Sequence, residues 1–127
     1  PMKVCFPAVD GLAWQIITGS DPKNTPWSYH NGGSWPVLLW MLVAAAQKLG
    51  RKDLGAKAIA IAQSRLATDE WPEYYDGKNG RLIGKSSRKF QTWTIAGWLL
   101  AKLLQETPSC LDYICFNEDT EAIACTI

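Results

Sequence analysis

Apolar residues recur at helical spacing in three stretches, and two long polar and aromatic segments separate them. Trp35, Leu38, Leu39, Leu42, Val43, Ala46 and Leu49 share one helical face. The opposite face, Val37, Trp40, Met41, Ala44 and Ala45, is also apolar, so this helix should be wrapped by others or buried in an interface. Ser34 is the expected N-cap, Pro36 suits the first turn, where its missing N–H costs nothing, and Gly50 closes the helix. A second helix over 52–67 has one apolar stripe, Leu54, Ala58, Ile61, Ala62 and Arg65/Leu66. Lys52, Asp53, Lys57, Gln63 and Ser64 face away from it. Only Gly50 and Arg51 separate these helices, which predicts an antiparallel hairpin.

A third helix carries Trp93, Ala96, Gly97, Leu100, Leu103 and Leu104 on one face, with Ile95 and Leu99 on another, until Pro108 stops it. Residues 109–127 read as one or two short helices. Near the start, Val4-Cys5-Phe6 and Trp14-Gln15-Ile16-Ile17 read as short strands or extended connectors.

The intervening segments are loops by their breakers. Gly19-Ser20-Asp21-Pro22 marks a turn, and paired glycines end the stretch that carries Trp27, Tyr29 and His30. Asp76-Gly77 and Asn79-Gly80 mark turns within 68–89. Both loops feed the N-terminus of a buried helix, and the tight connector lies at the other end. The loops should therefore gather at one end of the scaffold, where sites occur. The fold class is all-α, and alternating buried and half-wet helices are what an (α/α) toroid requires. Three or four helices cannot close such a ring, so alone the chain would expose a large apolar patch.

Composition narrows the function classes. The 127 residues are 47% apolar, enough for one domain, and a net charge of +1 with no basic run argues against nucleic acid or membrane partners. The longest apolar run, Trp35 to Ala46, falls short of the roughly 20 residues a bilayer needs. Seven Trp, several in loop-like sequence, favour a ligand platform. Cys5, Cys110, Cys115 and Cys125 match neither a zinc site nor a redox pair and read as reduced thiols of a cytosolic-type protein. No apolar leader segment follows the N-terminal charge, and the first residue, Pro1, suggests a piece of a longer protein.

Candidate chemistry centres on Trp71-Pro72-Glu73-Tyr74-Tyr75-Asp76-Gly77, where rings that can stack on a sugar flank an acid that can move a proton. Glu73 is the candidate general base, or else a surface Glu in an aromatic turn. Desolvation by its aromatic neighbours would raise its pKa, and Lys85 or Arg88 would lower it. Asp76 reads as a turn former, and Asp69 and Glu70 as solvated helix-end acids. His30, the single histidine, either donates to a sugar hydroxyl or caps the following helix. Trp27, Tyr29 and Trp35 either stack on sugar or staple the loop, with core favoured for Trp35 and Trp93. Lys85 and Arg88 are sugar-hydroxyl donors or solvated charges, and Gln91 points to the loop end. Asn31-Gly32-Gly33-Ser34, ahead of a helix, is a weak anion cradle. The substrate-binding set is thus Trp27, Tyr29, His30, Asn31, Lys85, Arg88 and Gln91.

The run from Gly19 through Asp21-Pro22-Lys23-Asn24-Thr25-Pro26-Trp27-Ser28-Tyr29-His30-Asn31-Gly32-Gly33-Ser34-Trp35-Pro36 resembles the signature of plant and cyanobacterial neutral/alkaline invertases, glycoside hydrolase family 100. Trp71 to Gly77, Gly84-Lys85, and Phe90-Gln91-Thr92-Trp93-Thr94-Ile95-Ala96-Gly97 resemble it as well. The similarity runs from about Met2 to about Leu104, and after Pro108 only Asn117-Glu118-Asp119 resembles the family's acidic ending. The resemblance implies an (α/α)6 barrel of which residues 1–127 are the C-terminal portion. It also implies hydrolysis of sucrose to glucose and fructose by one Asp acid and one Glu base, without metal or organic cofactor. The family's base carries over to Glu73, and its acid lies outside this chain. On this basis the isolated chain should not turn sucrose over. The location would be cytoplasmic, or plastid or mitochondrion where a transit peptide lies upstream. Homo-oligomerisation of the full-length protein stays open. The competing expectation is a non-catalytic helical sugar-binding or scaffold module. Another (α/α) glycosidase, acting on polymers, is a third.

Overall fold

A computed structural model describes residues 2–3, 5–18 and 21–114. Cys115, Cys125, the acidic Asn117-Glu118-Asp119 stretch and the rest of the expected terminal helices lie outside these residues, as do Val4, Gly19 and Ser20. The described chain is mainly helical. In order it contains β1 (Met2–Lys3), α1 (Leu12–Thr18), β2 (Ser34–Trp35), a 3-10 turn (Pro36–Leu38), α2 (Leu39–Lys48), α3 (Lys52–Arg65), α4 (Thr92–Glu106) and a second 3-10 stretch (Pro108–Tyr113). The strands β1 and β2 pair antiparallel, Met2 with Trp35 and Lys3 with Ser34.

The three-helix plan holds. Gly50, at φ +68°, closes the first long helix, and α3 doubles back along α2. Leu39 shares a cavity wall with Ile61, Ala62 and Leu66, whereas Val43 and Gln47 share another with Lys52 and Gly55. The helix α4 runs the same way as α2: Gly97 lies against Val37, and Gln47 Nε2 donates to the Leu104 carbonyl. A Cβ at Gly97 would sit 2.5 Å from the Val37 carbonyl oxygen, so only glycine permits this approach. Leu39, Val43, Ala44, Ala58, Ile59, Ala101 and Leu104 form the buried core, with Cys110, Leu111 and Ile114 packed under its far end.

Four expectations are corrected. Trp14 to Ile17 belong to α1, a helix: among the described residues no strand lies beside them to accept their backbone, which satisfies itself locally, and of these four only Trp14 turns inward. Ser34 is not an N-cap, because its backbone exchanges two hydrogen bonds with Tyr75 (2.9 and 2.8 Å). Trp35 holds the cap position without a side-chain bond, and Pro36 does occupy the first turn. The inward stripe of α3 is Gly55, Ala58, Ile59, Ala62 and Leu66, leaving Leu54 and Ile61 exposed. Gly55 carries no apolar side chain to signal burial, yet it packs against Val43 and Ala46. The inward face of α4 is Thr94, Gly97, Ala101 and Leu104, so Trp93, expected in the core, is 45% exposed. Small residues and a threonine take the inside here because the helices cross closely.

Candidate active site

The Glu73 segment leaves α3 through two left-handed residues, Glu70 (φ 62°) and Trp71 (φ 53°), which reverse the chain. It then runs extended beside residues 82–88. Glu73 N–H donates to the Arg88 carbonyl (2.7 Å), Gly84 N–H to Tyr74 (3.0 Å) and Asp76 N–H to Leu82 (2.9 Å). Asp76 Oδ1 accepts from Lys78 and Asn79 N–H (3.0 and 3.1 Å), so the turn-forming reading of this acid holds. The result is an irregular hairpin with Glu73 at its base. The Thr94 hydroxyl of α4 donates to the Pro72 carbonyl (3.0 Å) and fixes that base to the helix.

The other loop, residues 21–33, is welded to this hairpin. Gly77 N–H donates to the Trp27 carbonyl (2.8 Å), and Ser28 Oγ and Tyr74 Oη are hydrogen-bonded (3.1 Å). The expected turn at Asp21-Pro22 is present, Asn24 N–H reaching the Asp21 carbonyl at 3.0 Å. Trp27 and Tyr29 are left-handed at φ 67° and 46°. Every described non-glycine residue in that region falls in the two loops, Ser86 and Phe90 included. Each costs about 1–2 kcal/mol. Such strain persists where the surroundings over-determine it, which is typical of functional sites.

Together the loops build an aromatic wall. Tyr74 is fully buried, stacks on Trp35 (5.4 Å between centroids) and meets Tyr29 edge-on (5.5 Å). His30 stacks on Tyr29 (4.1 Å) and Trp35 (5.5 Å), and Trp93 meets Trp35 edge-on (5.6 Å). His30, Trp35, Val37, Leu38 and Trp93 line a surface concavity of about 200 Å³. Trp35 is core as expected, 3% exposed, with its indole N–H on the Tyr29 carbonyl (3.1 Å).

Glu73 is 8% exposed, and its Oε2 accepts from the Arg88 backbone N–H (3.4 Å). Its neighbours tie it to the wall: Tyr74 stacks on Trp35, and Pro72 is bonded to Thr94, next to Trp93. Glu73 itself does not line the concavity. Among the described residues no ion pair reaches Glu73; Lys85 and Arg88 point their charges to solvent and serve through their backbones. The Lys85 carbonyl accepts from the Tyr74 hydroxyl.

The remaining candidates divide. His30 is exposed on the wall and caps nothing, since the following turn has no side-chain cap. Tyr29 has the Lys23 ammonium over its ring, 3.6 Å from the centroid. The Trp27 ring packs against Phe6 (6.0 Å) and under Lys3. Gln91 precedes α4 at the loop end, its amide on the Lys89 carbonyl (3.2 Å). Asn31 is 1% exposed, and its amide spans three backbone groups: Val9 N–H (2.7 Å), the Val9 carbonyl (2.7 Å) and the Asn24 carbonyl (3.2 Å). Both of its amide hydrogens are thus spent on holding the loop.

Asp69 is not a solvated acid, whereas Glu70 stays half-exposed in a surface ion pair. Asp69 pairs with Arg65 (3.1 Å) and accepts from the Tyr75 hydroxyl (2.8 Å), and Glu70 pairs with Lys89. The i,i+4 spacing of Arg65 and Asp69 was visible in the sequence, whereas nothing in it marked Lys23. Burial pushes the Tyr75 phenol up, with Asp69 adding to it. Burial also pushes up Tyr74, which the Ser28 hydrogen bond partly offsets. Among the described residues no three His, Cys, Asp or Glu come together, no helix is long and apolar enough to cross a membrane, and Cys5 and Cys110 are free thiols.

A buried carboxylate and a wall of stacked rings thus stand together at the loop end of a helical scaffold. Residues 1–108 match the family described as alkaline and neutral invertase, glycoside hydrolase family 100, and the chain belongs to that family. It is 60% identical over 121 residues to a probable alkaline/neutral invertase D of Arabidopsis thaliana, covering 95% of this chain and 23% of the relative. It is 60% identical to cytosolic invertase 1 of Oryza sativa subsp. japonica over 94% of this chain and 21% of the relative. With the mitochondrial neutral/alkaline invertase 1 of that rice it shares 55% over 100% of this chain and 21% of the relative. The chain thus spans less than a quarter of the relatives it matches.

Proposed function

We propose that residues 1–127 are the C-terminal portion of a single (α/α)6 catalytic domain that hydrolyses sucrose to glucose and fructose, and that Glu73 is its general base. The observation that carries this reading is the setting of Glu73: a buried carboxylate at the base of a pinned hairpin, in a chain of the invertase family. The run of one helix up, one down and one up, with Trp93, Leu99 and Leu103 left open on α4, supports a larger helical ring.

In this mechanism Glu73 takes a proton from water as the water oxygen bonds to the anomeric carbon of the linkage. The bond from that carbon to the bridging oxygen breaks, and an acid from outside this chain protonates that oxygen. The two carboxyls of an inverting pair stand roughly 6.5–9.5 Å apart to admit the water. One Glu73 oxygen rests on the Arg88 N–H, which leaves the other for the water. His30 and Trp93, with Tyr29 behind His30, contact the sugar; Lys85, Arg88 and Gln91 extend toward it from the loop end, while Trp27 and Asn31 shape the loop. The location that goes with this reading is cytoplasmic, or plastid or mitochondrion where a transit peptide lies upstream, since relatives are named cytosolic, mitochondrial and chloroplastic.

The test uses the rice cytosolic relative with its matching stretch replaced by this chain. Glu73→Gln should lower sucrose cleavage about 10²- to 10⁴-fold and leave binding nearly intact. Undiminished turnover would refute the base assignment; a parent chimera that binds sucrose without cleaving it would favour a sugar-binding module, and cleavage of polymers but not sucrose would refute the substrate. The isolated 127-residue chain should show no sucrose cleavage.

A further inference from the structure

The hairpin that carries Glu73 is held at its far end by one side chain from the half-exposed helix. Arg65, in the last turn of α3, donates to the Gly80 carbonyl and, from Nη2, to the Arg81 carbonyl (2.7 Å). The same nitrogen pairs with Asp69 (3.1 Å), and the guanidinium lies over the Tyr75 ring, 4.5 Å from its centroid. The Tyr75 hydroxyl donates to Asp69 Oδ2 (2.8 Å), closing the cluster. Through its backbone Tyr75 is bonded in both directions to Ser34, at the foot of the aromatic wall.

We propose that Arg65, gripping the Gly80 and Arg81 carbonyls and the Tyr75–Asp69 pair, is a positioning residue that sets where the Glu73 carboxylate stands. The inference rests on the reading of Glu73 as the base. Arg65 does not touch the reacting atoms; it acts through the hairpin, whose return segment leads from Gly80 and Arg81 past the Asp76–Leu82 and Gly84–Tyr74 backbone bonds and a turn at 84–87 to Arg88 opposite Glu73. The chemistry calls for arginine. A planar fork of five donors can serve two carbonyls and a carboxylate while its face covers a ring, and an ammonium cannot. A base displaced by about 1 Å from its water loses up to about 10²-fold in rate, so a loosened hairpin should show in kcat.

The experiment uses the same full-length chimera and compares Arg65→Lys and Tyr75→Phe with the parent and with Glu73→Gln. Arg65→Lys should lower kcat per folded site about ten-fold or more, and Tyr75→Phe by less, with KM within about two-fold. Free guanidinium at millimolar level should restore part of the kcat of Arg65→Ala. A role confined to stability would instead reduce the folded fraction and leave kcat per folded site unchanged, and that result overturns the proposal. If Glu73→Gln is inactive while both other variants keep the parent kcat, the clasp fails and the base assignment stands. If Glu73→Gln stays active, both fail.

Discussion

The two ends of this molecule are stabilised by different means. At the far end, α2, α3 and α4 meet through Val43, Ala44, Ala58, Ile59, Ala101 and Leu104, an apolar contact that many sequences of similar volume would satisfy. At the loop end, left-handed aromatic residues, a saturated Asn31 amide and single hydrogen bonds between loops fix one arrangement. Burial is non-directional, and hydrogen bonds and close approaches are not, so the loop end can define a geometry to within the tolerance chemistry needs. The candidate site stands where the chain carries left-handed residues, and the helices beneath it form a packed apolar core.

The most damaging single change should therefore fall between the loops. A Cβ at Gly77 would lie 1.6 Å from the Gly32 carbonyl oxygen and 2.7 Å from its carbon, both backbone atoms. Gly77→Ala should cost more than about 4 kcal/mol or force the two loops apart. Urea unfolding gives the loss. Near-ultraviolet circular dichroism should lose the Tyr29–Trp35–Tyr74 signal while far-ultraviolet helix content stays. If both signals vanish together, the ends are one cooperative unit and the comparison fails.

The helical end was legible because periodicity states it directly: Leu39, Val43 and Ala46 recur at helical spacing, and Gly50 and Pro108 stop the helices where they occur. The inward faces of α3 and α4 were misjudged because Gly55, Gly97, Ala101 and Thr94 go inside for closeness, a quantity no hydropathy pattern records. The position of the loops followed from connector lengths. Their content did not: Lys23 over Tyr29, or Arg65 under the hairpin, depends on backbone reversals at Tyr29, Glu70 and Trp71 that residue type alone disfavours. Glu73 stood out as a candidate through its motif, whereas its backbone partner Arg88 N–H did not, because any residue at that position supplies the same donor.

Next in size is Leu104→Ala, which removes a fully buried side chain from the helical end. It should cost about 2–5 kcal/mol and leave the aromatic circular dichroism of the folded fraction unchanged. A smaller effect appears at high pH and belongs to the loop end. Burial and Asp69 hold the Tyr75 phenol above its ordinary value of about 10, and burial holds up Tyr74. The unfolded chain then releases protons that the folded chain keeps. This contribution is complete below about pH 10 and is lost as pH rises beyond it, by at most about 1.4 kcal/mol per unit for each phenol. Urea titrations should show a shallower decline in Tyr75→Phe; equal slopes in parent and variant would place the high-pH loss elsewhere.

The smallest effect in this chain separates it from the larger protein. Leu103 is 45% exposed on the outward face of α4, beside the exposed Leu99. In the isolated chain Leu103→Ser changes a half-wet side chain and should alter stability by no more than about 0.5 kcal/mol. In the full-length chimera a neighbouring helix would cover that face, and the same substitution should cost about 1.5–3 kcal/mol, the worth of burying a leucine. The difference between the two settings measures how far the outward face of α4 is an interior face of a closed helical ring. Equal costs would leave this face at the surface in both and remove the support that the open apolar residues lend to the ring.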